Sequence, residues 1–338
     1  MIERAKTHDI PALVEFIRAE WKSDHVFVQS PSFFQYQYED EFGNLNFFVS
    51  RDSNHDLTGI LGFMNYGSNP TGGDIFLSLW KVKATGDPTL GLKLLERLKS
   101  DLSPRGLYCT GINKNTFGIY KYLGYRTGSL HRYALLNPDI ADRKIIQAPA
   151  AISTRPIKSD CRFRELTNQN EILNLLETTS PGNHPKKSSL FFKKRFLNHP
   201  VYSYRFWLLE PQASQLLVVT REISALGRKA LRLVDLQGDH SHLPRLAPHL
   251  LTLMKNNGYE YTELTFEGLS TSLVEESGFI EAKDETIMPG YFEPFERKNV
   301  DIHYFSARSE GFTLFLGDGD QDRPNQIGPK RGEVGSTT

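Results

Sequence analysis

The chain has 338 residues, and its 40 Lys plus Arg balance 40 Asp plus Glu, so its formal net charge is zero. That length exceeds one average domain of roughly 100–200 residues and suits two; with 39% hydrophobic and 24% charged residues, each half can bury a core. A zero balance excludes nucleic-acid binding driven by bulk charge and leaves room only for a local basic groove.

The stretch DIPALVEFIRAEW (9–21) opens with Asp9 as N-cap and Pro11 in the first turn. Leu13, Phe16, Ile17 and Trp21 then share one face at helical spacing. FFQYQYEDE is aromatic-rich and fits helix or strand. LNFFVSRD and LTGILGFMNYG read as strands around the turn DSNHD. DIFLSLWKVKAT is a third strand, alternating through Ile75, Leu77, Leu79 and Lys81. GDPTLGLKLLERLKSDL opens a helix with Leu90, Leu94, Leu95 and Leu98 on one stripe. GLYCTGIN is a short strand, NTFGIYKYLG a short helix closed by Gly124 as a left-handed cap, and YRTGSLHRYALLN a last strand.

Residues 138–160, rich in Pro and without period, read as a connection. From 161 the first order of elements returns: strand CRFRELTN, helices QNEILNLLETT and SLFFKKRFLN, strands YSYRFWLLE, SQLLVVTREIS and LRLVDLQGD, helix LPRLAPHLLTLMKNNG, strand YTELTF and helix STSLVEESG. Local matches back the repeat. KVKATGD pairs with LVDLQGD at an offset of 152, YLGY with ESGF at 154, and Phe33-Phe34 with Phe191-Phe192 at 158. The sequence therefore predicts a duplicated α/β domain with a mixed sheet: 1–137, connection 138–160, 161–327, and a polar tail 328–338 expected to be disordered.

The first half resembles the GNAT family of N-acetyltransferases. Members carry a Q/R-x-x-G-x-G/A loop around the pyrophosphate of acetyl-CoA. GDPTLGLKLL aligns with it, with Gly91 at the second Gly, Thr89 at the first, and Gly86 where Gln or Arg is usual. Free N–H groups at a helix start suit phosphate, and Lys93 or Lys81 is placed to compensate for the missing basic residue; an ordinary helix start after a strand is the plain alternative. Downstream, the family pattern N-x-x-A-x-x-L-Y-x-K-x-G-F falls on Asn113, Thr116, Ile119, Tyr120, Tyr122, Gly124 and Tyr125.

The resemblance implies two tandem GNAT-like domains, each a mixed, mostly antiparallel sheet flanked by helices. It implies acetyl-CoA, or another acyl-CoA, as co-substrate at Val82, Lys83, Ala84, Thr89, Leu90, Gly91, Leu92, Lys93 and Asn113. Tyr120 would be the general acid for the leaving thiolate; the plain alternative is that Tyr120 is a core aromatic and Asn113 an N-cap. His25 would relay the amine proton, or else is a surface-loop histidine. Asp24 and Glu39 would face a cationic acceptor, with a solvated acidic face (Glu39, Asp40, Glu41) as the plain alternative. The second half lacks a Gly beyond Gly238 in its loop and a Tyr in the acid position, so it reads as a degenerate copy.

Asp318, Asp320 and Arg323 in GDGDQDRPN read as acceptor contacts, against the alternatives of a calcium loop or a polar turn fixing the tail. MPGYFEPFERKN reads as a sugar-stacking ledge or a packed loop. The tail resembles those of GNAT-like proteins of surface-polysaccharide synthesis, which implies an amino-sugar acceptor.

A second reading is an aminoacyl-tRNA-dependent transferase of the peptidoglycan-bridge type; a third is a non-catalytic binding module. No metal is expected: Cys109 and Cys161 form no CxxC, and His240 and His242 lack a third ligand. Neither nucleic-acid binding nor membrane insertion is expected, since no run of about 18 apolar residues occurs. Only two cysteines, from which no pairing can be inferred, and a charged N-terminal stretch without an apolar leader predict a cytoplasmic protein.

Overall fold

The computed structural model of the protein describes residues 1–40, 42–84, 87–149, 159–179, 182–211 and 214–327. Glu41, Gly86, residues 150–158 of the expected connection and the expected tail 328–338 lie outside the described residues. The chain divides into two compact units. The first holds Met1–Met64, Leu77–Ser103 and the described residues from Arg323; the second holds Asn65–Phe76 and Pro104–Asp322.

The first unit runs β1 (Ile2–Arg4), α1 (Ile10–Glu20), α2 (Val26–Gln29), α3 (Pro31–Tyr38), β2 (Phe47–Arg51), β3 (Leu57–Asn65), β4 (Asp74–Val82) and α4 (Leu90–Leu102), with β4 crossing from the second unit into the first. β2 pairs antiparallel with β1 and β3. Leu13, Phe16 and Ile17 of α1 are buried as their spacing predicts, whereas Trp21 stays exposed beyond the helix end. Asp9 stands at the N-cap, but its side chain takes the Lys6 N–H at 2.8 Å instead of capping α1. The ambiguous FFQYQY is helix α3: Ser30 accepts the Phe33 N–H, and Pro31 fills the first turn, where a missing donor costs nothing.

The second unit continues with β5 (Gly106–Thr110), α5 (Phe117–Tyr122), β6 (Arg126–Ser129), β7 (His131–Leu136), β8 (Arg162–Leu166), α6 (Gln169–Thr178), α7 (Ser189–Phe192), β9 (Arg205–Glu210), β10 (Leu216–Ala225), β11 (Arg228–Gly238), α8 (Leu243–Asn257), β12 (Tyr259–Glu267), α9 (Thr271–Glu276), β13 (Ile280–Glu281), the hairpin β14 (Tyr291–Phe292) and β15 (Phe295–Glu296), β16 (His303–Ser306) and β17 (Leu314–Phe315). One mixed sheet has the order β13-β7-β12-β11-β10-β9-β8, in which only β11 and β12 run parallel. Elsewhere in this unit the start of β4 runs parallel to β5 from Asp74↔Gly106 to Phe76↔Tyr108, and β16 pairs antiparallel with both β5 and β6.

YRTGSLHRYALLN, expected as one strand, is two. Arg126–Ser129 pair with β16, while His131–Leu136 pair with β12 and β13. A strand that changes partners must break its ladder: Leu130 still gives its N–H to the Ile302 carbonyl, in register with β16, and the change comes between it and His131. The expected connection is partly core. Ile145 and Ile146 are buried, and the N–H groups of Lys144 and Ile145 hold the buried Glu260 carboxylate at 2.7 and 2.8 Å. The 288–299 segment is a small packed hairpin, β14 against β15, and its Met288 and Pro289 carbonyls receive the Arg132 guanidinium.

The order of elements repeats. β8–α6–α7–β9–β10–β11–α8–β12–α9–β13 retraces β1–α1–α3–β2–β3–β4–α4–β5–α5–β6, with α2 extra in the first pass. Caps recur with it. Ser188 accepts the Phe191 N–H as Ser30 accepts that of Phe33, and the Phe pair that follows each cap is buried. Among the described residues, no helix is long and apolar enough to cross a membrane.

Candidate functional site

In the first unit, the alternating ladder of β4 decides which N–H groups can meet a ligand. Lys83 gives its N–H to the Thr58 carbonyl at 2.8 Å. That of Val82, the last residue of β4, points to the opposite edge of the strand, because neighbouring residues alternate. The Lys83 N–H, one of the expected acyl-CoA contacts, is thereby engaged within the sheet.

The start of α4 is also occupied. Asp87 Oδ1 accepts the Thr89 N–H at 2.9 Å and the Thr89 hydroxyl at 2.6 Å, and Oδ2 pairs with Lys93 Nζ at 2.7 Å. Lys93 first, then Thr89, holds the Asp87 carboxyl down at about 2. A carboxylate of the chain itself therefore sits on the N–H and the ammonium expected to serve a pyrophosphate. Leu90 is buried, Leu92 half-buried and Lys93 exposed. A Cβ on Gly91 would stand 3.5 Å from Trp80 Nε1, so the indole lies over this first turn.

His25 is no surface-loop residue. It is buried and caps α2, with Nδ1 facing the Phe27 N–H at 3.3 Å and Nε2 facing Arg323 Nη2 at 3.3 Å. The Arg323 guanidinium also stands 4.7 Å from the Phe27 ring. Two residues read separately in the sequence, 298 positions apart, thus meet within this unit. Asp24 is exposed and pairs with Lys22 at 3.3 Å. Glu39 accepts from Gln35 at 2.8 Å, and Asp40 turns the loop by accepting the Phe42 and Asn44 N–H groups.

In the second unit, Asn113 Oδ1 accepts the Asn115 N–H at 2.9 Å and starts the turn that leads into α5, with its side chain exposed. Tyr120 is 7% exposed. Its ring stacks on Phe305 of β16, centroids 4.3 Å apart. Burial, reinforced by the neighbouring Cys109, pushes its phenol well above the usual tyrosine range, so it stays protonated at neutral pH. Gly124 closes the helix at φ 77°, and the Tyr125 N–H returns to the Tyr120 carbonyl. Cys109 is buried, and burial with the Asp320 charge pushes its thiol up. Tyr120 and Asp320 therefore share Cys109 as a neighbour.

Asp318 does not face solvent. It is fully buried against Lys187 Nζ, which it shares with Asp235 at 2.7 and 2.6 Å. Asp322 is equally deep. Arg221 and Arg232 reach it at 2.6 and 3.0 Å and Tyr204 donates to it at 2.9 Å; Arg232 also pairs with Glu263 at 2.8 Å. The sequence reading missed this network. Its signal was present in LRLVDLQ and YTELTFE, where charges stand inside apolar strands that prove buried throughout. His242 bonds Ser214 and His240 the Leu236 carbonyl. Among the described residues no group of three or more His, Cys, Asp or Glu could hold a metal ion.

No family model and no curated protein matches the chain. Solved structures do. The chain resembles a GCN5-related N-acetyltransferase from Anabaena variabilis with a TM-score of 0.57 at 11% identity, over 90% of this chain and 72% of that one. It resembles an Enterococcus faecalis protein described as a probable N-acyltransferase with a TM-score of 0.55 at 9% identity, over 90% and 71%. The fold is that of the GNAT acetyltransferases. At such identities the likeness speaks for the fold, and the chemistry must be argued from residues.

Proposed function

We propose that the protein is an acyl-CoA-dependent N-acyltransferase, with acetyl-CoA the simplest donor. We read it as a tandem of GNAT-like halves, 1–137 and 161–327, of which the second has lost its donor site. The carrying observation is the Asn113–Tyr125 turn and helix: a capping Asn, a buried protonated phenol, and a left-handed glycine closing the helix. The second half repeats this geometry with Ser270 as cap and Gly278 at φ 87°, and the Phe279 N–H returns to Val274. Val274 therefore stands where Tyr120 stands, and it has no proton to give.

In the proposed reaction the acceptor amine attacks the thioester carbonyl carbon, the C–S bond breaks, and Tyr120 protonates the departing thiolate. The proton lost by the amine passes to His25 or an acidic neighbour. Holding both substrates in place supplies much of the rate. The N–H groups of Val82 and Ala84 would polarise the carbonyl, and the first turn of α4 would receive the pyrophosphate. The acceptor we favour is a nucleotide-linked or lipid-linked amino sugar, on the strength of the tail's likeness and the acidic side chains Asp24, Glu39 and Asp320.

The test is a Tyr120→Phe variant of the full chain, assayed for free thiol released from acetyl-CoA in the presence of UDP-linked amino sugars. Turnover should fall about 100-fold or more while coenzyme A binding is kept. Unchanged acylation would sink the acid role.

A further inference from the structure

The parallel pairing of β11 with β12 stops at Leu233↔Leu264, although β11 runs on to Gly238 and β12 to Glu267. In open α/β sheets ligands bind in the crevice outside the carboxyl ends of parallel strands, and β11 and β12 are the parallel pair of this sheet. Here the chain fills that place itself. β17 pairs antiparallel with β12, Phe315 opposite Phe266 and Leu314 opposite Glu267. The turn after it reaches β11, where a Cβ on Gly317 would stand 2.6 Å from the Val234 carbonyl oxygen. Gly268, at φ 87°, lets the end of β12 approach the Phe312 carbonyl.

The segment is held by charge at two points. Asp318 meets Lys187, whose side chain is 2% exposed and which also holds Asp235 of β11. Asp322 meets Arg221 of β10 and Arg232 of β11. Between them, Arg195 donates to the Gly317, Gly319 and Asp322 carbonyls at 2.8, 2.9 and 3.1 Å. Arg195 lies in a π-turn, Lys193–Leu197, that follows α7. π-Helical turns are rare and recur at functional sites.

We infer that the second half works as a clamp for the chain's own residues 312–322, which occupy the opening between β11 and β12 that a donor would need. The inference rests on reading this half as a GNAT copy. It goes further by giving that copy a structural role of its own. Strand addition along β12 supplies main-chain bonds, and the buried cations fix the register. One acyl-CoA site per chain follows.

Hydrogen exchange on the full-length protein, with and without coenzyme A, tests both layers. The amides of Leu314–Asp322 should exchange as slowly as those of β11, and coenzyme A should protect 87–93 while leaving 236–243 unchanged. Exchange of Leu314–Asp322 at the rate of an exposed turn, or protection at 236–243, would overturn the clamp. Absence of protection anywhere would defeat the donor reading, and the clamp would then stand or fall on the ligand-free rates. Asp322→Asn should speed exchange of 314–322 at least tenfold and leave β9 unchanged; equal rates in variant and wild type would count against the clamp. Should that variant not fold, the wild-type rates decide.

Discussion

At the start of α4, Asp87 Oδ1 receives the Thr89 N–H at 2.9 Å; at the start of α8, 152 residues on, Asp239 Oδ1 receives the Ser241 N–H at 3.0 Å. Both carboxylates do the work of an N-cap. Two positions past Thr89 stands Gly91, its backbone bare beneath the Trp80 indole; two past Ser241 stands Leu243, fully buried in the core. The later pair repeats the lesson, with Tyr120 and Val274 each one helical turn before a left-handed glycine. The helix-start carboxylate and the left-handed glycine recur in each comparison, whereas the glycine two positions on and the phenol do not.

The strongest way to break this comparison is Gly91→Glu. An acidic residue in a first helical turn favours the helix, so the fold should survive, but its carboxylate would repel a pyrophosphate. Coenzyme A affinity measured by calorimetry should fall at least about 100-fold, or ~2.7 kcal/mol. The mirror change, Leu243→Gly, should create no second binding event. If Gly91→Glu binds as well as the wild type, the start of α4 is not the donor site and the two helix starts are equivalent after all.

Much of this was legible in the sequence for a local reason. Caps, helix stripes and left-handed glycines are written within a few residues, so Asn113, Gly124 and the Leu90–Leu98 stripe could be read directly. The exchange of strands could not. HRYALL has the same alternation whichever sheet receives it, and nothing local says that β7 will join β12 while β16 joins β5. The buried ion network was half legible: Arg232 and Glu263 stand out inside apolar strands, but Asp322 lies 90 residues from Arg232. GDPT advertises the N–H groups of a helix start, yet its own Asp87, in plain view, claims one of them.

That claim yields a gentler test. Asp87→Asn keeps an oxygen for the Thr89 N–H but removes the negative charge and frees Lys93. Coenzyme A should bind about tenfold more tightly, ~1.4 kcal/mol, and the gain should shrink as salt screens the exposed site. An unchanged constant would mean that Asp87 does not compete with phosphate, and the carboxylate at each helix start would be a cap alone.

The smallest expected effect concerns the segment that fills the second half. Burial pushes the Asp318 carboxyl up to about 6 from an ordinary 3.8; Lys187 pulls it down and Asp235 pushes it up, and burial prevails. Between about pH 4 and 6 the folded protein then holds a proton that the unfolded chain has released, so stability falls as pH rises through that window. Asp322 has the opposite sign. Burial alone would raise it, but Arg221 and Arg232 outweigh burial and hold it far below the carboxylate range, so its contribution is present above about pH 4 and is lost only in stronger acid. Replacing Asp318 with Asn mimics the protonated form and should remove the slope. From pH 4.5 to 6.5 the wild-type melting temperature should fall by a few degrees relative to Asp318→Asn. Parallel curves would show that Lys187 carries two full negative charges throughout, and that proton uptake plays no part in holding the segment.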